Sequence, residues 1–124
     1  MRTNDLKELV QTKLKTLTPN VYHEIANEKK LYPHIVFTFR RIDLQDLSRQ
    51  DYILEVDVWD FNENDKTEVV DDLTDSVENL LQGENLPQEN VLPTFYLIDR
   101  RNILDENKHI KHRQVQFQIQ NYER

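Results

Sequence analysis

Two periods of apolar and polar residues alternate along this chain, and the switches between them mark out its helices and strands. Between Asn4 and Leu17, the residues Leu6, Leu9, Val10, Leu14 and Leu17 recur at three- and four-residue spacing. Lys7, Glu8, Gln11, Lys13 and Lys15 fill the other face, so an amphipathic helix is predicted. Thr3 or Asn4 can cap its start, with Asp5 in the first turn, and Thr18-Pro19 stops it because the residue before proline is pushed out of the α region. A second helix is predicted from Lys66 to Gln82. Its stripe is Val69, Leu73, Val77, Leu80 and Leu81, with Val70 at the border. The acidic turn Asn62 to Asp65 suits its positive end, and Gly83 is a stop signal.

The remaining segments read as strands. A short extended stretch covers Val21–Ala26, and Pro33–Ile42 follows, with Ile35, Phe37 and Phe39 opposite His34, Val36, Thr38 and Arg40. The third strand, Tyr52–Phe61, alternates most cleanly. Tyr52, Leu54, Val56 and Val58 form one side; Ile53, Glu55, Asp57 and Trp59 form the other. Two carboxylates fix that second side as wet or partner-facing, since unpaired buried charge is costly. After the second helix come Thr94–Asp99, a charged link from Arg100 to Lys111, and a last strand in which Val115, Phe117 and Ile119 oppose Gln114, Gln116, Gln118 and Gln120. Short links between consecutive strands favour antiparallel pairing. The expected architecture is a single α+β domain over residues 1–124, a two-layer sandwich in the order α-β-β-β-α-β-β. Its mainly antiparallel sheet carries both helices on one face.

Composition narrows the function. The chain has 124 residues, a formal charge of −7 and no cysteine, which removes disulfides, thiolate nucleophiles and sulfur-ligated metals. No apolar run reaches the ~18 residues that span a bilayer, and the first residues lack the apolar core of a secretion signal, so a soluble protein is expected. The basic clusters Lys29-Lys30, Arg40-Arg41, Arg100-Arg101 and Lys108 to Arg113 are short and flanked by acids. Nucleic-acid affinity depends on a basic stripe, so specific DNA binding is not expected.

Catalytic chemistry has few candidates. Phosphate loops depend on glycine, and Gly83 is the only one. His109 and His112 have an H-x-x-H spacing that suits zinc on a helix, but Lys108, Lys111 and Arg113 oppose a cation there and no third ligand is evident. His23 and His34 read as ordinary strand residues. Ser76 lies beside a helical stripe as a packing residue, and Ser48 lies in a polar link. Glu55 and Asp57, about 7 Å apart on one strand face, have a spacing like that of a glycosidase pair; a solvated or partner-facing strand explains them more simply. No cofactor, metal or catalytic residue is expected. Trp59 on the wet face fits either an interface or packing at the sheet edge under a loop. The uncharged glutamine row suits subunit contact, and open sheet edges suit strand addition.

Taken together, four features resemble the tail-completion, or tail-terminator and head–tail joining, proteins of long-tailed bacteriophages. They are the helix ending in Leu17-Thr18-Pro19 before Val21-Tyr22; the strand led by Tyr32-Pro33-His34-Ile35-Val36-Phe37; the strand ending in Asp57-Val58-Trp59-Asp60 with its acidic turn and helix; and the charged link into a glutamine-rich terminal strand. The resemblance spans about Leu6 to Ile119, and the scarcity of glycine departs from it. It implies a virion protein at the head-proximal end of the tail, a wedge in a ring, commonly hexameric, that caps the tail tube and meets the neck. DNA would pass the lumen without specific binding. The implied partners are further copies of the chain, the tail tube protein and a neck or head-completion protein, with no membrane and no cofactor. The interface residues expected are Glu55, Asp57, Trp59, Arg100, Arg101, Gln116 and Gln118, with the links Asp43–Gln50 and Arg100–Lys111 clasping neighbours. The alternatives are another neck component such as a head-completion stopper, a small ligand-binding or hydrolase domain with a deep pocket, and a host-directed inhibitor.

Overall fold

A computed structural model describes residues 3–26, 31–42, 49–82 and 91–123. The elements run α1 (Thr3–Leu14), β1 (Val21–His23), β2 (His34–Ile42), β3 (Arg49–Phe61), α2 (Glu68–Leu81), β4 (Val91–Ile103) and β5 (Ile110–Glu123). They form a five-stranded sheet in the order β1-β2-β3-β5-β4, an α+β fold with the predicted element order.

Alternation decides which side of the sheet is dry. The core-side residues of β3 are Leu54, Val56 and Val58, all fully buried. They pair across the sheet with Phe39, Phe37 and Ile35 of β2, and the first two of them with Phe117 and Val115 of β5. Against this layer pack Leu6, Leu9, Val10 and Leu14 of α1 and Val70, Val77 and Leu81 of α2. Each fully buried aliphatic or aromatic side chain contributes roughly 1.5–3 kcal/mol of transfer free energy. One stripe from each helix therefore covers one side of the sheet, and the other side has no helix on it among the described residues.

Three expectations change. First, β1 pairs with β2 in parallel, not antiparallel, through Val21↔Ile35, Tyr22↔Val36 and His23↔Phe37. The register is pinned where the Asn20 side chain donates to the Pro33 carbonyl (3.3 Å) and the Ile35 N–H donates to the Asn20 carbonyl (2.9 Å). Second, the α2 stripe is rotated: Val69 is 45% exposed, whereas Val70 and Thr74 are fully buried. A threonine fits there because its hydroxyl donates to the Val70 carbonyl at 2.6 Å, so no polar atom is stranded. Third, half of the link Arg100–Lys111 is strand. β4 continues to Ile103 and β5 begins at Ile110, so the two form a long hairpin that turns over residues 104–109. Most of the other link, residues 43–48, lies outside the described residues, as does Gly83, and Arg49 and Gln50 open β3.

A polar seam joins α2 to the hairpin. Arg113 on β5 donates to Asp71 at 2.8 Å, and Arg100 on β4 lies 3.6 Å from Asp71 and 2.8 Å from Glu78, and also pairs with Asp75. Desolvation works against ionisation of Asp71, but hydrogen bonds from Arg113 and Thr67 and the charges of Arg113 and Arg100 hold its carboxyl below the ordinary value. Asp60, nearly buried at the end of β3, goes the other way: desolvation pushes it up, against a backbone hydrogen bond from Phe61.

The core assignment predicts that Leu54→Ala lowers stability by about 3 kcal/mol in chemical denaturation. Asp71→Asn should lower the melting temperature near neutral pH. Because the folded carboxyl titrates below 3.8, its contribution is present above that pH and is lost as the pH falls through the folded value, so the gap between variant and parent closes in acid. Asp60→Asn should do the reverse. A raised folded value favours the protonated group, so the charged group costs stability at neutral pH, and the variant melts higher there with a gain that vanishes below 3.8.

Candidate interface on the open sheet face

The side of the sheet away from the helices carries the second parity of every strand. On β3 these residues are Ile53, Glu55, Asp57, Trp59 and Phe61, opposite Gln118, Gln116, Gln114, His112 and Ile110 of β5. On β2 they are His34, Val36, Thr38 and Arg40, paired with Trp59, Asp57, Glu55 and Ile53. Five of the seven expected interface residues, Glu55, Asp57, Trp59, Gln116 and Gln118, therefore share this face, and Arg101, opposite Gln114, joins them.

Arg100 is placed elsewhere, and a backbone irregularity is the reason. Between Leu97 and Asp99 the β4 register shifts, with Leu97 opposite Phe117 and Asp99 opposite Gln116. The extra residue, Ile98, reverses the parity of everything after it. Arg100 then points to the helix side, where it holds Asp71, Asp75 and Glu78, while Arg101 stays on the open face with its Nη2 at 3.2 Å from Asp99.

Glutamine amides reach the carboxylates of β3. Gln116 Nε2 donates to Glu55 at 3.3 Å, Gln114 Nε2 to Asp57 at 3.1 Å, and Gln118 Nε2 reaches diagonally to Asp51 at 2.9 Å. An amide satisfies a carboxylate's hydrogen-bonding capacity without cancelling its charge. The row is thus orderly and still acidic.

Trp59 lies in the middle of the sheet rather than at its edge. Its ring is stacked on His112 with centroids 3.6 Å apart and an interplanar angle of 15°, and His34 lies on β2 at 6.1 Å and 11°. His112 is fixed in turn by Asp57, with Nε2 to Oδ1 at 2.6 Å. Further rings extend the cluster: Tyr32 lies 4.9 Å from His34 and 6.2 Å from Phe61, and Phe61 lies 5.9 Å from His109. Beside it is a groove of about 630 Å³ bordered by Glu24, Ile25, Ala26, Tyr32, Glu55, Trp59, Ile110 and His112, among others. Glu24 takes a left-handed conformation with φ 69°, its N–H donating to the Phe37 carbonyl at 2.9 Å, and this turn brings Ile25 and Ala26 to the groove.

The histidine spacing noted in the sequence separates in the fold. His112 is on the strand against Asp57, and His109 in the preceding turn has Nδ1 3.0 Å from Asp65. Among the described residues, no group of three or more histidine and carboxylate ligands comes together. The His112–Asp57 pair orients an imidazole, but that ring lies flat on Trp59, and its hydrogen-bond partner among the described residues is Asp57. Ser76 donates to the Asp72 carbonyl at 3.0 Å within α2, and Ser48 lies outside the described residues. The arrangement is suited to presenting rigid aromatic and acidic surface. His34, His112 and the Glu24–Ala26 turn were not picked out from the sequence as site residues. The parity of 34, 59 and 112 on paired strands is the signal that would have found the two histidines, had the register been known.

No protein-family model matches the chain, and no curated protein matches it. Among solved structures, it is similar to a chain from the virion of a native gene transfer agent particle, with a TM-score of 0.71 over 91% of this chain and 91% of that one. Sequence identity is 10%, so the likeness is one of fold: a gene transfer agent virion contains a chain built on this α+β plan.

Proposed function

We propose that this chain is a structural virion protein, a tail terminator whose copies form a ring that caps the tail tube and joins it to the neck. The observation that carries the reading is the fold shared with a gene transfer agent virion chain along nearly the whole length of both. The open face supports it. A sheet with both helices on one side leaves an ordered polar surface, and Glu55, Asp57, Trp59, Arg101, Gln116 and Gln118 lie there to meet a neighbour. Helices on one face of a sheet favour a terminator over a head-completion stopper, for which a helix-rich or barrel-like fold is expected. The charge of −7 suits a lumen that passes DNA without holding phosphate.

In this reading the ring is a hexamer, and Arg100 acts within the subunit by fastening the β4–β5 hairpin to α2. Mass measurement of the purified protein, alone and with tail tube protein, tests the proposal. The expected result is a closed oligomer, alone or on tubes, that Gln116→Lys together with Gln118→Lys weakens without changing the fold. A persistent monomer that ignores tubes overturns it.

A further inference from the structure

The groove beside Trp59 has a chemistry of its own. Its volume of about 630 Å³ is enough for several side chains. Glu24, Glu55 and Asp57 border it, and no lysine or arginine is among its described lining residues. Asp57 is bonded by His112 as well as by Gln114, whereas the partner of Glu55 is the neutral amide of Gln116, so the negative charge offered to a ligand is that of Glu55 and Glu24. At the same end of the sheet the surface is strongly apolar. Ile25 is 81% exposed, Leu31, next to Tyr32, is 66% exposed, and Phe61 is 42% exposed. Leu104 follows Ile103, the residue paired with His112, and is 96% exposed. Ile25 borders the groove, and Leu31, Phe61 and Leu104 lie outside its lining at the same end of the sheet; exposed apolar side chains beside acidic groups fit a partner that covers them while bringing positive charge.

We propose that this groove receives an extended segment of another virion component in which aliphatic residues alternate with arginine or lysine. It rests on the reading of the open face as an assembly surface. The aliphatic side chains of the segment cover Ile25, Phe61 and Leu104, and its cations meet Glu55 and Glu24. Gln116 and Gln118 do not border the groove, so copies can meet along that row in the ring reading while the groove at the Trp59 end is left to a different component.

Trp59 is the only tryptophan in the chain and borders the groove, so its fluorescence reads occupancy directly. The probes are three capped hexapeptides: alternating Arg and Leu, alternating Glu and Leu, and alternating Arg and Ser. The expected result is a saturable change with the Arg/Leu peptide, at least tenfold weaker with either of the others and weaker at high salt. Glu55→Lys and Ile25→Ser should each weaken the Arg/Leu response at least tenfold, with circular dichroism and melting temperature confirming that the variants fold. An equal response to the Glu/Leu peptide, or variants that bind like the parent, overturns the inference. So does a concentration-dependent dimer, seen by mass without peptide, that the same variants abolish, because the occupant is then a second copy. Rings that form while the peptide is ignored leave the terminator reading standing and sink this one. Peptide binding by a chain that ignores tubes does the opposite.

Discussion

The register of β3 is the constraint on which everything else depends. Its two sides differ completely: Leu54, Val56 and Val58 on one, Glu55, Asp57 and Trp59 on the other. A slip of one residue would carry two carboxylates into the layer between sheet and helices and expose the aliphatic row. Burying unpaired carboxylates costs several kcal/mol each, and the lost apolar burial adds to that. Because β3 lies between β2 and β5, its register also fixes theirs. The core and the open face are thus two consequences of one alternation.

The polar side is ordered by the same means. Glutamines on β5 face the acidic row of β3 and satisfy it with neutral amides, and His112 also bonds Asp57 while stacking on Trp59. On the other side Arg100 and Arg113 tie α2 to the hairpin, while Arg101 on the open face pairs with Asp99. The helix side of the hairpin is thereby stapled by charge within the chain, while β3 keeps an acidic row on the open face.

Much of the fold was legible in the sequence, because strict alternation and a helical stripe report burial directly. The order of elements and the two faces of β2, β3 and β5 follow from residues such as Phe37, Val56 and Phe117. What was not legible depended on contacts distant in sequence. Val70 and Thr74 displace Val69 in the α2 stripe because a threonine can hide its hydroxyl in its own helix, which residue type alone does not reveal. Arg100 and Arg101 read alike as link residues, yet a single extra residue at Ile98 sends them to opposite sides of the sheet. The parallel seat of β1 is set by Asn20 and Pro33, a pair that no local pattern marks. The groove was invisible for the same reason: its walls come from separate strands and one turn, and only the assembled register brings Glu24, Trp59 and His112 together.

The margins of the sheet have a consequence for growth. On one side the outermost ladder is three residues long, and on the other the long outer strand is broken in phase at Ile98. Neither border offers a long, regular template, so endless sheet extension from molecule to molecule is discouraged by geometry. A particle built from such units accumulates through broad surfaces, whose angles can close on themselves, and its copy number can therefore be finite.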